Sequence, residues 1–170
     1  MDIAFLIVRI IVGLGLAAHG AQKLFGAFGG HGLAGTGSFF ESKLGFRPGA
    51  FFALAAGLGE FGGGLLTFLG LGGALGPALI VAVMVTAILV VHLGKGFFSD
   101  KGGPEIPLLY VAGALAVAFA GAGAYSLDRL FRITFLTSDP EIWYAIAAAV
   151  LAGVLNAALR RPSSSTAPTH

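Results

Sequence analysis

Charge is what this chain most lacks. Only 11% of its 170 residues are Asp, Glu, Lys or Arg, against roughly a quarter in an ordinary soluble domain, while 56% are hydrophobic and mean hydropathy is +0.91. So few charges cannot solubilise that much apolar surface, which excludes a water-soluble monomer. Cysteine is absent altogether, which removes a CxxC redox pair, a disulfide framework and thiolate metal sites together. Any redox role then falls to a bound cofactor or a partner. The net charge of +2 is too small and too scattered for a nucleic-acid footprint, and no internal repeat stands out. What is plentiful is glycine, 28 residues, together with long apolar runs separated by short polar stretches. The pattern predicts an all-α fold, a polytopic transmembrane helix bundle.

Crossing a hydrocarbon core of about 30 Å takes about 20 helical residues at about 1.5 Å each. Residues 3–25, 49–69, 74–93, 106–124 and 142–159 qualify. Pro48, Pro77, Pro107 and Pro140 fall at or near helix starts, where a missing N–H costs nothing, and Asp139 is a good N-cap. The turn Gly70-Leu71-Gly72-Gly73 admits only an antiparallel hairpin between the second and third spans. Gly59 and Gly63 form a small-xxx-small pair that lets helix backbones approach closely. In the long first loop, Ser38-x-x-Glu41 reads as a capping box, Phe40 and Leu44 share a face, and Gly45 can close the turn. A short interfacial helix lying on the bilayer is expected there.

Met1-Asp2 gives no basic n-region and no small-residue cleavage signature follows, so an uncleaved start is expected. With five spans, Lys23, Lys43, Arg47, Lys95, Lys101, Arg160 and Arg161 share one side, against Arg129 and Arg132 on the other. The positive-inside rule then favours a cytoplasmic C-terminus. Trp143, Tyr144 and Tyr125 fall on the N-terminal side, as an aromatic belt would place them.

Ionisable groups within a span cost at least about 2.5 kcal/mol each on insertion scales, so each needs a partner or a purpose. Arg9, Gly13, Leu16, Gly20 and Lys23 fall near one line along the first span, with His19 flanking it. That face should look into the bundle. Glu60 sits near the midplane of the second span, within plausible reach of Arg9, so an Arg9–Glu60 ion pair that sets helix register is one expectation. The other is that Glu60 relays a proton for a bound ligand. Alternating span direction brings His19, Lys23, His92 and Glu105 to one side of the membrane. Each has a plainer explanation. Lys23 can snorkel, His92 can cap a helix end, Glu105 can favour a helix dipole, and His19 can bond a neighbouring helix. Together they form a candidate ligand-binding or proton-relay set with Glu60.

At these residues the chain resembles the DoxX family of small bacterial membrane proteins. The first helix carries Arg9, Gly13, His19-Gly20 and Lys23-Leu24-Phe25-Gly26 in the family's order, followed by Phe28-Gly29-Gly30. Gly57-Leu58-Gly59-Glu60 resembles the second-helix motif. His92, Gly96-Phe97-Phe98 and Glu105-Ile106-Pro107-Leu108-Leu109 resemble the third-loop pattern, with Ile106 where an aromatic is common. Gly121-Ala122-Gly123-Ala124-Tyr125-Ser126-Leu127-Asp128 resembles the end of the fourth helix. The resemblance runs over residues 4–131. It implies a DoxX-like four-helix membrane domain over 1–131; outside that core, 132–160 reads as a linker and fifth transmembrane helix, and 161–170, rich in Ser, Thr, Pro and Ala, as a disordered tail. It further implies the bacterial plasma membrane and an association with respiratory oxidoreductases, as in thiosulfate:quinone oxidoreductase subunits.

The leading expectation is therefore a subunit or accessory of a membrane oxidoreductase complex, not an enzyme alone, with a quinone near His19, Lys23, Glu60 and His92. A quinone head needs donors at its carbonyls and a proton path when reduced. The runner-up is a non-catalytic assembly subunit in which Arg9 and Glu60 are structural and glycine-rich helix faces dock a protein partner or a second copy. A small transporter is weakened by the lack of an inverted repeat. Haem between His19 and His92 is disfavoured, there being no other haem motif, and no ligand spacing points to a metal. No catalytic residue is assigned.

Overall fold

A computed structural model of the chain describes residues 2–161. Apart from Arg161, the tail expected to be disordered lies outside the described residues. Every regular element is helical, and no strand occurs among the described residues. The helices are α1 (Asp2–Phe25), α2 (Gly32–Phe39), α3 (Gly49–Leu69), α4 (Leu75–Ala87), α5 (Glu105–Ala120), α6 (Leu127–Phe131) and α7 (Asp139–Ala158). Two π-helical turns, Phe40–Leu44 and Ile88–His92, extend α2 and α4. Four stretches are long and apolar enough to cross a membrane: α1, α3, Leu75–His92 and α7. The fifth, α5, is also apolar but has only 16 residues.

Small residues set the packing. In α1, a Cβ on Gly13 would lie 2.6 Å from the Phe68 nitrogen, and one on Gly20 would lie 2.4 Å from the Phe61 nitrogen. Across the seam, a Cβ on Gly64 would lie 2.6 Å from both the Ala17 nitrogen and the Gly13 oxygen. The α1 and α3 backbones therefore touch directly, in antiparallel sense. The opposite face of α3 holds Gly59 against Val83 and Gly63 against Leu79 and Gly76 of α4. The Gly59/Gly63 pair therefore packs against α4 within the chain.

α7 packs chiefly on α4. A Cβ on Gly153 would lie 2.6 Å from the Ala82 carbonyl oxygen, and Ile142, Ile146 and Ala149 join Ile80, Val81 and Met84 in the apolar core. Its outer face leaves Trp143, Tyr144, Leu151 and Leu155 exposed, as suits a helix facing lipid.

Three local expectations are corrected. First, α7 begins after Ser138, not Asp139. Glu141 accepts from the Ser138 and Thr137 N–H groups at 3.0 and 3.1 Å, so the donors left over at the helix start are met one residue earlier. Second, the fourth span stops at Ala120 instead of 124, because Gly121 and Gly123 adopt φ of +80° and +76° and turn the chain. Third, Ser38 lies inside α2, which starts at Gly32, and the Ser38/Glu41 capping box does not form. Glu41 instead accepts from the Gly49 N–H at 3.0 Å, at the start of α3. Gly45 does close the turn, at φ +79°. The loop packs onto α3, with Gly37 against Ala50 and Phe46 only 1% exposed.

Candidate functional site

The two ends of the bundle handle charge differently. Near the chain's start, Arg9 is 1% exposed yet meets no carboxylate within salt-bridge distance among the described residues. Its guanidinium donates to four backbone carbonyls: Nε to Thr67 at 3.0 Å, Nη2 to Phe68 at 2.7 Å, and Nη1 to Ala122 at 2.7 Å and Tyr125 at 3.0 Å. Two acceptors lie in the last turn of α3, whose final carbonyls lack helical partners. The other two lie in the unwound segment after α5. Irregular backbone at membrane depth is tolerated only where protein groups satisfy it, and Arg9 does this here. Asp128 completes the arrangement by accepting from the Gly72 and Gly73 N–H groups at 2.8 and 2.7 Å. Arg9 is thereby committed to structure, and the expected Arg9–Glu60 pair does not form.

Glu60 pairs with Lys23 instead. Nζ donates to Oε2 at 2.5 Å, with the two side chains 25% and 6% exposed. Lys23 lies near the end of α1, level with the middle of antiparallel α3, because a Cβ on Gly57 would touch Leu24 at 2.6 Å. The pair borders a half-open cavity of about 560 Å³ lined by residues of α1, α3, α4, α5, α7 and the first loop. His19 and His92 line the same cavity, so four of the five residues expected to converge do so. Leu16, Phe40, Phe46, Val83 and Met84 make most of its wall apolar. Both π-helical turns contribute to the lining, through Phe40, Leu44, Val90, Val91 and His92.

Glu105 is the expected member that stays out. Its carboxylate accepts from the Ser99 N–H at 2.8 Å and ties the third loop, while the cavity takes Ile106 and Pro107 from the same helix. His92 directs Nδ1 to the Gly102 carbonyl at 2.7 Å. A carbonyl only accepts, so Nδ1 carries the hydrogen and the neutral ring leaves Nε2 as an acceptor.

Tyr110, Thr86 and Asn156 also line the cavity and were not singled out from the sequence. The Tyr110 ring meets His19 edge to face at 6.2 Å, and its hydroxyl lies 2.6 Å from where a Cβ on Gly15 would sit. A tyrosine five residues after Glu105, in an otherwise apolar helix, was the available signal.

Chemically, Lys23 has three N–H donors and commits one to Glu60, leaving two for a ligand. Glu60 can accept or give a proton, and the apolar wall suits a ring or hydrocarbon body. The volume falls within the roughly 300–1,000 Å³ typical of small-molecule sites. No group of three or more His, Asp or Glu able to hold a metal occurs among the described residues.

The DoxX family model matches residues 4–93, more than half of the chain, and the protein belongs to the DoxX family. The match covers α1 to α4 and the π-helical turn that ends in His92. α5, α6 and α7 lie beyond it, so it stops short of the 4–131 over which the resemblance was drawn. No curated protein and no solved structure matches the chain.

Proposed function

We propose that this membrane protein is a subunit or accessory of an oxidoreductase complex and holds a quinone headgroup in the cavity beside Lys23 and Glu60. The observation that carries this reading is a buried Glu60 paired with a half-buried Lys23 at the border of a largely apolar cavity, with His19 and Tyr110 alongside. Helix packing alone does not call for a carboxylate at this depth, since burying Glu60 carries a desolvation cost that Lys23 only offsets. Ionisable groups within a membrane more often mark a ligand or proton path.

A quinone carries a flat apolar ring and carbonyl oxygens that accept hydrogen bonds. Lys23 and His19 supply the donors, the apolar wall holds the ring, and Glu60 exchanges protons when the ring changes redox state. The site lies in the bacterial plasma membrane, with the C-terminus on the cytoplasmic side, where the larger group of lysines and arginines falls.

The test is thermal stability of the purified full chain in detergent, with and without decylubiquinone. Wild type should be stabilised in proportion to occupancy, and His19→Ala should remove the shift. No shift in wild type overturns the quinone reading. A Glu60→Gln variant that loses abundance while keeping wild-type affinity would assign the ion pair to assembly instead.

A further inference from the structure

A second polar point lies on the α4–α7 wall of the same cavity, which Thr86, Gly153 and Asn156 all line. Thr86 Oγ1 lies 3.1 Å from both the Ala82 and the Gly153 carbonyl oxygens. Carbonyls only accept, so its single hydrogen is committed between them. Towards Asn156 the hydroxyl can therefore only accept, which orients the carboxamide with Nδ2 facing Thr86 at 3.4 Å. One Nδ2 hydrogen and Oδ1 then remain without a partner among the described residues. Asn156 is half-buried and lines the cavity, so these groups are open to a ligand that enters it.

This step rests on the quinone reading above. We infer that Asn156 is a second ligand-binding residue. It donates its uncommitted Nδ2 hydrogen to the ring carbonyl not held by Lys23 and His19, so the site selects para-quinones over rings with one carbonyl. Asn156 also suits both redox states, because Oδ1 can accept from the hydroxyl that replaces the carbonyl on reduction. Since α7 lies outside the matched residues 4–93, this selectivity comes from a part of the chain that the family match does not include.

Equilibrium binding to the full chain in detergent tests the inference, using decylubiquinone and a mono-carbonyl cyclohexenone bearing the same decyl tail. One neutral hydrogen bond is worth about 1 kcal/mol, or roughly a fivefold difference in affinity. Wild type should prefer the two-carbonyl probe by about that factor or more. Asn156→Leu should bring the two affinities within about twofold by weakening only the quinone. Asn156→Ala removes the same group without filling space and serves where the leucine variant does not fold. Undiminished preference in either folded variant overturns the role of Asn156 and leaves the quinone reading in place. Wild type that binds neither probe overturns both.

Discussion

The directness of the α1–α3 contact can be tested by adding one methyl group at either of two neighbouring glycines. On α3, a Cβ at Gly64 would meet Ala17 nitrogen and Gly13 oxygen at 2.6 Å and Ala17 Cα at 3.0 Å, whereas a Cβ at Gly62 meets nothing within 4 Å. Both positions are interior to the same helix. Each Gly→Ala change therefore carries a similar gain in helix propensity, about 0.5–1 kcal/mol. Only Gly64→Ala pushes on a neighbouring backbone, which cannot swing aside as a side chain would, and overpacking of this kind costs about 1–3 kcal/mol. Propensity cancels in the comparison, so the difference between the variants isolates the packing cost. For a chain of this size that corresponds to a gap of about 2–12 °C in midpoint. The assay is loss of helical circular dichroism on heating in mild detergent. Gly62→Ala should match or exceed wild type, and Gly64→Ala should fall below both. Equal midpoints would refute backbone-to-backbone packing of α1 on α3.

Further outcomes follow from other contacts. Arg9→Lys keeps the charge but loses the planar fork that spans four carbonyls; it should cost at least about 3 kcal/mol, read as a lower midpoint and faster proteolysis after α5. Thr67→Val should raise the midpoint, because the Thr67 hydroxyl is buried without a partner and its removal returns about 1 kcal/mol; a lower midpoint would mean that the hydroxyl is satisfied after all. Lys23→Met strands Glu60 and should cost about 3 kcal/mol, whereas the double variant Lys23→Met/Glu60→Gln should recover most of it. A double-mutant cycle in detergent measures that coupling, and a coupling near zero would contradict the 2.5 Å contact.

How much of this could be read from the sequence depends on whether a partner is a side chain or the main chain. The long helices and the α3–α4 hairpin were legible because length, hydropathy and the Gly70–Gly73 turn leave few alternatives. Counting span directions was enough to bring His19, Lys23 and His92 to one level, and Glu60 was visible as a carboxylate at mid-span. The partner of Arg9 was not legible. Its acceptors are carbonyls, which every residue possesses, and two of them become available only because glycines break the chain at Gly121 and Gly123. With Arg9 committed elsewhere, Glu60 falls to Lys23, about four turns further along the same face of α1. Glu105 looked like a cavity residue by level alone, but the turn of the third loop brings the Ser99 N–H to its carboxylate. Tyr110 and Asn156 were hidden by the apolar helices around them, where one polar atom changes hydropathy little.

The early end of α5 bears on the lipids around the protein. Sixteen residues at about 1.5 Å each span about 24 Å, less than the hydrocarbon thickness of about 30 Å. Among its neighbours, α1, α3 and α7, at 24, 21 and 20 residues, have no such shortfall, and the Leu75–His92 span, at 18, has a smaller one. A bilayer meeting this protein is therefore strained unevenly around its circumference. Acyl chains beside α5 must shorten or tilt, drawing headgroups and water inward toward the Ala122–Ser126 segment, while those beside α1 and α7 remain at full depth. Mismatch of this kind is worth fractions of a kcal/mol per ångström. That is enough to give the molecule a preferred azimuth towards thinner patches of membrane and towards neighbours that are short on the same side.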